Sequence, residues 1–228
     1  MFRHWLYQFR RRRALKKVRD PDLRAFLEAP AIAEKAPLRE IEFLALDFET
    51  TGLEKGRDQL LSFGLVVIRG LRVELSTMEH CLIRPDMAVP GESAVIHQIT
   101  DDEVRAEGLS REQALRKILG ALKGRVLLAH KCDIERHFLQ EACQEIFWTD
   151  LYCQSVDTLQ MELRKRKRSD TPIKSGDLRL WKLREDYGLP AYKAHHAAID
   201  ALACAELLLA QISHMGEDVT LGDLGPSW

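Results

Sequence analysis

The sequence predicts one α/β domain that is preceded by a basic helical extension. Two short apolar runs, IEFLALDF and RVLLAH, are typical of strands that are buried on both faces. A third observation is the pair LLSFGLVVIRG and LRVELSTMEHCLIRP, which a tight turn at Arg69-Gly70 joins into a predicted hairpin. With 228 residues, of which 46% are hydrophobic, the chain is long enough to bury one full core.

The N-terminal region is predicted to be helical and basic. Residues 1–20 have helical spacing, with Trp5 and Phe9 one turn apart, and Asp20-Pro21 is typical of an N-cap and first turn for a second helix, DLRAFLEA. The stretch AIAEKAPL indicates a linker. We therefore divide the chain into an extension and linker (1–39), a main domain (40–215) and an irregular tail (216–228).

The remaining elements follow in order. Ser110 is a predicted N-cap for a helix, HKCDIERHFLQEACQEI begins another after the strand RVLLAH, and SVDTLQM reads as a strand or extended piece. The basic cluster RKRKR (164–168) is either a phosphate contact or a solvated loop. GDLRLWKLREDYGL is a predicted helix that Gly188 and Pro190 close, and AAIDALACAELLLAQISHM is the long final helix.

Charge and cysteine content restrict the class of protein. The formal net charge is −1, but the acid-poor start of the chain and RKRKR concentrate the positive charge. Five widely spaced cysteines without a CxxC pair suit a reducing compartment, so we expect a cytoplasmic, bacterial-type intracellular protein. The same Arg-rich start is also compatible with an organelle transit peptide. No apolar run approaches the roughly 20 residues that a transmembrane helix needs.

Acidic residues at the end of the first strand indicate a metal site. Asp47 and Glu49 are two positions apart in LALDFETTGL, so they project from one face. No Lys or Arg lies in this strand to balance them, and hard cations such as Mg²⁺ or Mn²⁺ prefer oxygen ligands. Two further polar clusters, HKCDIERHFL after the second buried strand and His195 with Asp200 before the last helix, are candidates for the same site.

These three clusters, in this order, resemble the DEDDh family of 3′–5′ exonucleases, which includes the proofreading subunit of bacterial replicative polymerases. The resemblance rests on DFETTGL, AHKCDIERHFL and His195-x-Ala-x-x-Asp200, and it covers roughly residues 42–213. It implies a ribonuclease H-like three-layer fold, in which a mixed five-stranded sheet lies between helices. It also implies two metal ions, held by acidic residues that include Asp47, Glu49 and Asp200, and His195 as the general base.

The second motif departs from the family pattern His-Asn-x-x-Phe-Asp-x-x-Phe-Leu. Phe138 and Leu139 must face the core, and this register places Glu135, not Asp133, at the acidic position. We therefore expect Glu135 to be the fourth catalytic and metal-binding acid, with one methylene more reach. Lys131 replaces the usual Asn.

By the same resemblance, the substrate contacts follow the first motif. The predicted substrate-binding residues are Phe48, Thr50, Thr51, Gly52, Leu53 and His97. The implied reaction is metal-dependent release of nucleoside 5′-monophosphates from single-stranded 3′ ends, with DNA favoured over RNA and with proofreading, repair and RNA trimming all open. The alternative is a catalytically weakened adaptor that binds nucleic acid or a polymerase. The basic N-terminal helix is compatible with contact to nucleic acid, to an acidic partner or to an anionic membrane surface, and the apolar side formed by Trp5 and Phe9 favours a protein partner.

Overall fold

The computed structural model describes residues 2–52, 59–84 and 107–227, and its centre is a mixed five-stranded sheet. The strand order is β3-β2-β1-β4-β5; β1 pairs antiparallel with β2 and parallel with β4, β2 pairs antiparallel with β3, and β4 pairs parallel with β5. The strands are β1 (Phe43–Thr50), β2 (Leu60–Arg69), β3 (Arg72–Leu82), β4 (Val126–Ala129) and β5 (Ser155–Asp157). The predicted sheet and the predicted hairpin are both confirmed.

Helices cover both faces of this sheet, because β4 and the first four residues of β1 are apolar and buried. In chain order the helices are α1 (Phe2–Leu15), α2 (Pro21–Glu28), α3 (Arg111–Leu122), α4 (Asp133–Phe147), α5 (Thr158–Arg168), α6 (Leu180–Asp186) and α7 (Ala197–Ser213). One apolar cluster joins α2, α3 and α4 to one face of the sheet, and a second joins α7 to the other. The molecule is therefore built of three layers.

The predicted helix caps are present. Asp20 accepts hydrogen bonds from the N–H groups of Asp22 and Leu23 at the start of α2, both at 3.0 Å. Ser110 and Gln113 form a reciprocal capping box at the start of α3. Local sequence signals thus determine where these two helices begin.

The segment SVDTLQM differs from its prediction. Only Ser155–Asp157 is a strand, and Asp157 then caps α5, which contains the whole basic cluster 164–168 in its last turns. Arg166 in this cluster pairs with Glu162, Asp177 and Asp186. The cluster is therefore neither a loop nor wholly available to phosphate.

The two ends of the chain pack onto the main domain. Leu23, Phe26 and Leu27 of α2 are buried in the cluster that contains α3 and α4. The C-terminal segment, predicted to be irregular, instead contains a 3₁₀ helix, Leu221–Leu224, and Ser227 exchanges backbone hydrogen bonds with Ser155. The division at residues 39 and 215 stays a prediction.

Two further observations concern the chain as a whole. None of its helices, within the part that the structure describes, is long and apolar enough to cross a membrane. All five cysteines are free thiols, and four of them are buried.

Candidate active site

The site begins at the end of β1. Asp47 and Glu49 alternate with Phe48 along the strand, so the two carboxylates share one face of the sheet and the Phe48 ring lies on the other. Asp47 pairs with Gly64 on the neighbouring strand β2.

Gly64 allows α7 to approach this face. A Cβ atom at Gly64 would lie 2.0 Å from the backbone nitrogen of Ala198 and 2.1 Å from the carbonyl carbon of Ala197. The first turn of α7 therefore rests directly on the β2 backbone beside Asp47. This contact brings Asp200, which lies in that first turn, to the two carboxylates of β1.

Asp47, Glu49 and Asp200 form one acidic cluster. One carboxylate oxygen from each of the three residues lies within 4.8 Å of the others. Burial, and then the charge of Asp200, raises the pKa of Glu49 to about 7. Burial raises the pKa of Asp200 to about 6, although the N–H of His195 partly opposes this change. The protein thus holds three acids where each disfavours the ionisation of the others.

Glu135 reaches the same cluster from α4. Its side chain is buried, whereas Asp133, two positions earlier, is exposed. Asp47 retains some exposed surface as a residue, but protein atoms enclose its carboxyl group. Burial holds the pKa of Asp47 well above its usual value, and the charge of Glu135 is the largest of the neighbouring charges that add to this rise. Burial likewise raises the pKa of Glu135.

The turn that delivers Glu135 is held by Asp157. The backbone N–H groups of Lys131 and Cys132 donate to the two carboxylate oxygens of Asp157, both at 3.1 Å. Asp157 also caps α5 through the N–H of Leu159 at 2.9 Å. His130 also stabilises this turn, because its ring nitrogens lie 2.8 Å from the Thr158 hydroxyl and 2.8 Å from the Leu178 carbonyl oxygen.

The four acids fit a hard divalent cation. All donors are carboxylate oxygens, the donor type that Mg²⁺ and Mn²⁺ prefer. Among the described residues, Oδ1 of Asp200 and Oε2 of Glu135 are buried and have no hydrogen-bond partner. Buried carboxylates without donors are costly, so a cation between β1, α4 and α7 would satisfy both oxygens.

His195 lies beside the cluster, in the turn before α7. Its backbone N–H donates to Oδ2 of Asp200 at 3.0 Å, and its own φ is +66°, in the left-handed region. Its side chain is exposed. The next residue, His196, stacks on His80 of β3 with ring centroids 4.3 Å apart. This stack anchors the turn that carries His195 to the sheet.

The predicted substrate contacts are only partly supported by the geometry. Phe48 is 7% exposed and its ring packs edge-on against Phe138 at 6.3 Å, within the core. Its role in substrate binding stays a prediction. The Thr51 N–H, expected to face a nucleotide, donates to the Gln59 carbonyl oxygen at 3.0 Å instead. The Thr50 hydroxyl donates to the Gly52 carbonyl oxygen at 2.7 Å. Leu53 and His97 lie outside the described residues.

Sequence reasoning missed three contributors to this geometry. Gly64 carried a signal, because a glycine inside an apolar strand often marks the close approach of another backbone. Asp157 caps α5 and also holds the turn before α4, and the sequence contains no signal for the second contact. For His80 the sequence contains no signal, since its partner His196 is remote in the chain.

Comparison with known proteins identifies the family. The family model RNase_T, described as "Exonuclease", matches residues 44–208, which include every acid of the cluster. The chain belongs to this exonuclease family. It is 31% identical to the DNA polymerase III subunit epsilon of Treponema pallidum (strain Nichols) over 176 residues, which are 76% of this chain and 78% of that protein.

One further relative by sequence and one solved structure extend the comparison. The chain is 27% identical to the PolC-type DNA polymerase III of Thermotoga maritima over 81% of its own length, but it spans only 13% of that larger protein. The nuclease domain of 3′hExo, a DEDDh family member solved with rAMP, superposes with a TM-score of 0.65 at 17% identity and covers 81% of this chain and 97% of that one. The ribonuclease H-like fold and the DnaQ-like 3′–5′ exonuclease class are thereby confirmed.

Proposed function

We propose that this exonuclease removes nucleotides from the 3′ end of single-stranded nucleic acid and releases nucleoside 5′-monophosphates. The observation that carries the proposal is the acidic cluster of Asp47, Glu49 and Asp200, within 4.8 Å of one another, with the buried Glu135 near enough for its charge to raise the pKa of Asp47. DNA is favoured over RNA because relatives over three-quarters of the chain are DNA polymerase III proteins.

Two divalent cations, Mg²⁺ or Mn²⁺, are the proposed cofactors, and Asp47, Glu49, Glu135 and Asp200 would hold them. When bound, such ions stabilise the charge that develops on the entering and leaving oxygens of an in-line displacement. The chain contributes the fixed carboxylates, which buried strands and helix starts hold without reorganisation.

His195 is the proposed general base. A neutral imidazole nitrogen accepts protons, so the His195 side chain can take one from the attacking water. The hydrogen bond from the His195 N–H to Asp200 fixes this residue next to a metal-binding acid. Its exposed side chain leaves room for a nucleic acid end.

The proposal also includes partners. Relatives named as polymerase subunits favour a polymerase as a protein partner. Trp5 and Phe9, which stack on each other and are 60% and 51% exposed, form an apolar patch on α1 that suits such a contact. A cytoplasmic location remains part of the proposal.

The function can be tested with a 3′-labelled single-stranded oligonucleotide. The full chain should release labelled mononucleotide with Mn²⁺ and release none with EDTA. Asp47→Asn should abolish release, while Glu217→Gln, an exposed acid outside the cluster, should not change it. His195→Ala should lower kcat by about 10²-fold or more. Release without metal, or release that survives Asp47→Asn, would overturn the proposal, and no release under any condition would favour the adaptor.

A further inference from the structure

A groove lies between α1 and the end of α4, away from the acidic cluster. Its volume is about 890 Å³, and residues from three segments line it: Leu6, Tyr7, Arg10, Arg13, Ala14, Lys17, Gln144, Trp148, Thr149, Asp150, Leu151, Tyr152 and Ser227. Helix α4 begins at the site and ends at this groove. At about 1.5 Å per residue, the distance along α4 from Glu135 to Trp148 is about 20 Å.

The groove is positively charged. Arg10 and Arg13 on α1 and Lys17 just after it are exposed, and no ion pair involves any of these three among the residues that the structure describes. The acid of the groove, Asp150, is held by the side-chain amides of Gln140 at 2.8 Å and Gln144 at 3.1 Å. The groove thus contains three positively charged side chains and one acid, and the hydrogen-bond donors to that acid are neutral amides. Its surface is therefore positive overall and attracts a polyanion.

Trp148, which lines this groove, is unusual in its exposure and in its backbone conformation. It is 91% exposed, and its φ of +54° lies in the left-handed region, where glycine normally ends a helix. A large side chain is strained in this conformation. The backbone of Trp148 closes α4, because its N–H donates to the Gln144 carbonyl oxygen at 3.1 Å. The indole ring itself buries almost no surface, so its packing contributes little to the fold.

We propose that this groove is a second binding surface for single-stranded nucleic acid, about 20 Å from the active site along α4. Basic side chains that follow a phosphate backbone, with an exposed aromatic ring on which a base stacks, are the combination that binds single strands without sequence preference. Arg10, Arg13 and Lys17 supply the charge, and Trp148 supplies the ring. A duplex does not fit this chemistry, because its bases are already stacked and paired.

The inference rests on the proposed function, since it takes nucleic acid as the substrate, but it concerns binding rather than chemistry. The groove would bind the part of the strand that lies on the 5′ side of the 3′ end being hydrolysed. Stacked nucleotides are about 3.4 Å apart along a strand, so a trinucleotide in the active site cannot reach the groove. A strand of 30 nucleotides can occupy both sites.

Binding of a fluorescein-labelled oligothymidine of 30 nucleotides, measured by anisotropy in EDTA, tests the inference without hydrolysis. Trp148→Gly should weaken binding about five-fold or more, because it removes one stacking platform. The same variant should melt no lower than the wild type, because glycine relaxes the left-handed backbone. Arg10→Glu with Arg13→Glu should weaken binding further and should reduce the slope of log affinity against log salt by about 1.4.

The matched control is Arg39→Glu with Arg72→Glu, two exposed cations outside the groove, with the same change in net charge. This control should bind as tightly as the wild type to within about two-fold. Hydrolysis of a trinucleotide with Mn²⁺ should be unchanged in all three variants. Wild-type affinity in the groove variants would overturn the inference. Failure of the wild type to hydrolyse, with binding that still depends on Trp148, would instead overturn the proposed function alone.

Discussion

Glu135 and Asp133, two acids on α4, differ in burial and therefore in their ability to bind a metal ion. Glu135 is 2% exposed, with Oε2 unpaired among the described residues, whereas Asp133 is exposed at the first position of the helix. We therefore expect Glu135→Gln to lower kcat by about 100-fold or more, roughly 3 kcal/mol of transition-state stabilisation. Asp133→Asn should keep kcat within about three-fold. Steady-state hydrolysis of a single-stranded oligonucleotide measures both.

Glu135→Asp separates the reach of the carboxylate from its charge. It restores the family's residue but shortens the side chain by one methylene, and α4 is already placed for the longer one. A loss of activity in Glu135→Asp would show that this helix has adjusted to glutamate. Asp133→Asn with the larger loss would mean that the register set by Phe138 and Leu139 is wrong.

Lys131 is a residue whose backbone conformation does not suit its side chain. Its φ is +68°, and its N–H is fixed by Asp157 at 3.1 Å, so the turn cannot relax. Glycine and asparagine adopt this region more easily. We expect Lys131→Asn to raise the free energy of unfolding by about 0.5–1 kcal/mol, measured by urea denaturation.

Lys131→Ala is the control, because alanine lacks the short polar side chain with which asparagine stabilises the left-handed backbone. Both variants lose the positive charge of Lys131, which favours ionised Glu135. A difference between them therefore reports the backbone alone. Equal stability of the two variants would show that the left-handed conformation carries no measurable cost here.

At the scale of elements, the contact between β2 and α7 positions the site. Gly64→Ala would place a methyl group 2.0 Å from the Ala198 nitrogen, a distance that no relaxed structure allows. Because the atoms that it meets are backbone, α7 must move away from the sheet. We expect a loss of about 2–3 kcal/mol in unfolding free energy and weaker Mn²⁺ binding, since Asp200 moves with the helix.

Gly120→Ala is a matched control in α3. Its added methyl group would meet nothing within 4 Å, and alanine is favoured over glycine inside a helix by about 1 kcal/mol. This variant should melt higher than the wild type and bind Mn²⁺ normally. Scanning calorimetry measures the melting temperature and isothermal titration calorimetry measures Mn²⁺ binding, and together they distinguish the two glycine variants. Normal Mn²⁺ binding in Gly64→Ala would contradict the role given to this contact.

Sequence patterns predicted elements well where the signal is local. Ser110 and Asp20 begin their helices as expected, and the alternation in β1 places Asp47 and Glu49 on one face. The α5 helix was missed because Asp157 is both the last strand residue and the helix cap. A change of element without an intervening turn leaves no composition signal.

The charged residues of the site were predicted from the sequence, but the contacts that hold them in place were not. The register of Phe138 and Leu139 was sufficient to select Glu135, because apolar burial repeats with the helix. The His80–His196 stack and the bonds from Lys131 and Cys132 to Asp157 join remote parts of the chain. Such contacts depend on the assembled sheet, so no window of sequence contains them.

At the scale of the whole molecule, the N-terminal helices are part of the core. The Arg11 guanidinium, 7% exposed, donates to the carbonyl oxygens of Phe26 at 2.9 Å and Ala29 at 2.5 Å, and the Tyr7 hydroxyl donates to the Tyr152 carbonyl oxygen at 3.0 Å. Through Tyr152, α1 is tied to the chain that follows α4. The predicted extension thus shares packing with the element that carries Glu135.

The buried acids also make the stability of the whole metal-free protein depend on pH. The folded-state pKa of Glu49 is raised to about 7 and that of Asp200 to about 6. An acid whose pKa is raised by folding stabilises the fold below its unfolded pKa, and this contribution is lost as pH rises through the folded value. We therefore expect the unfolding free energy in EDTA to fall between about pH 4.5 and pH 7.5, by on the order of 2–4 kcal/mol.

Divalent cations should reverse this loss where the acids are ionised. A ligand that binds only the folded chain stabilises it according to its concentration relative to Kd, and ionised carboxylates are the form that binds. Mn²⁺ should therefore raise the melting temperature at pH 7.5 and have little effect at pH 4.5. In the double variant Glu49→Gln with Asp200→Asn, the decline with pH and the response to Mn²⁺ should both shrink, because amides neither titrate nor neutralise a cation. A metal-free protein that gained stability from pH 4.5 to pH 7.5 would show that these acids are ionised at little cost, and that a cation is not what their burial requires.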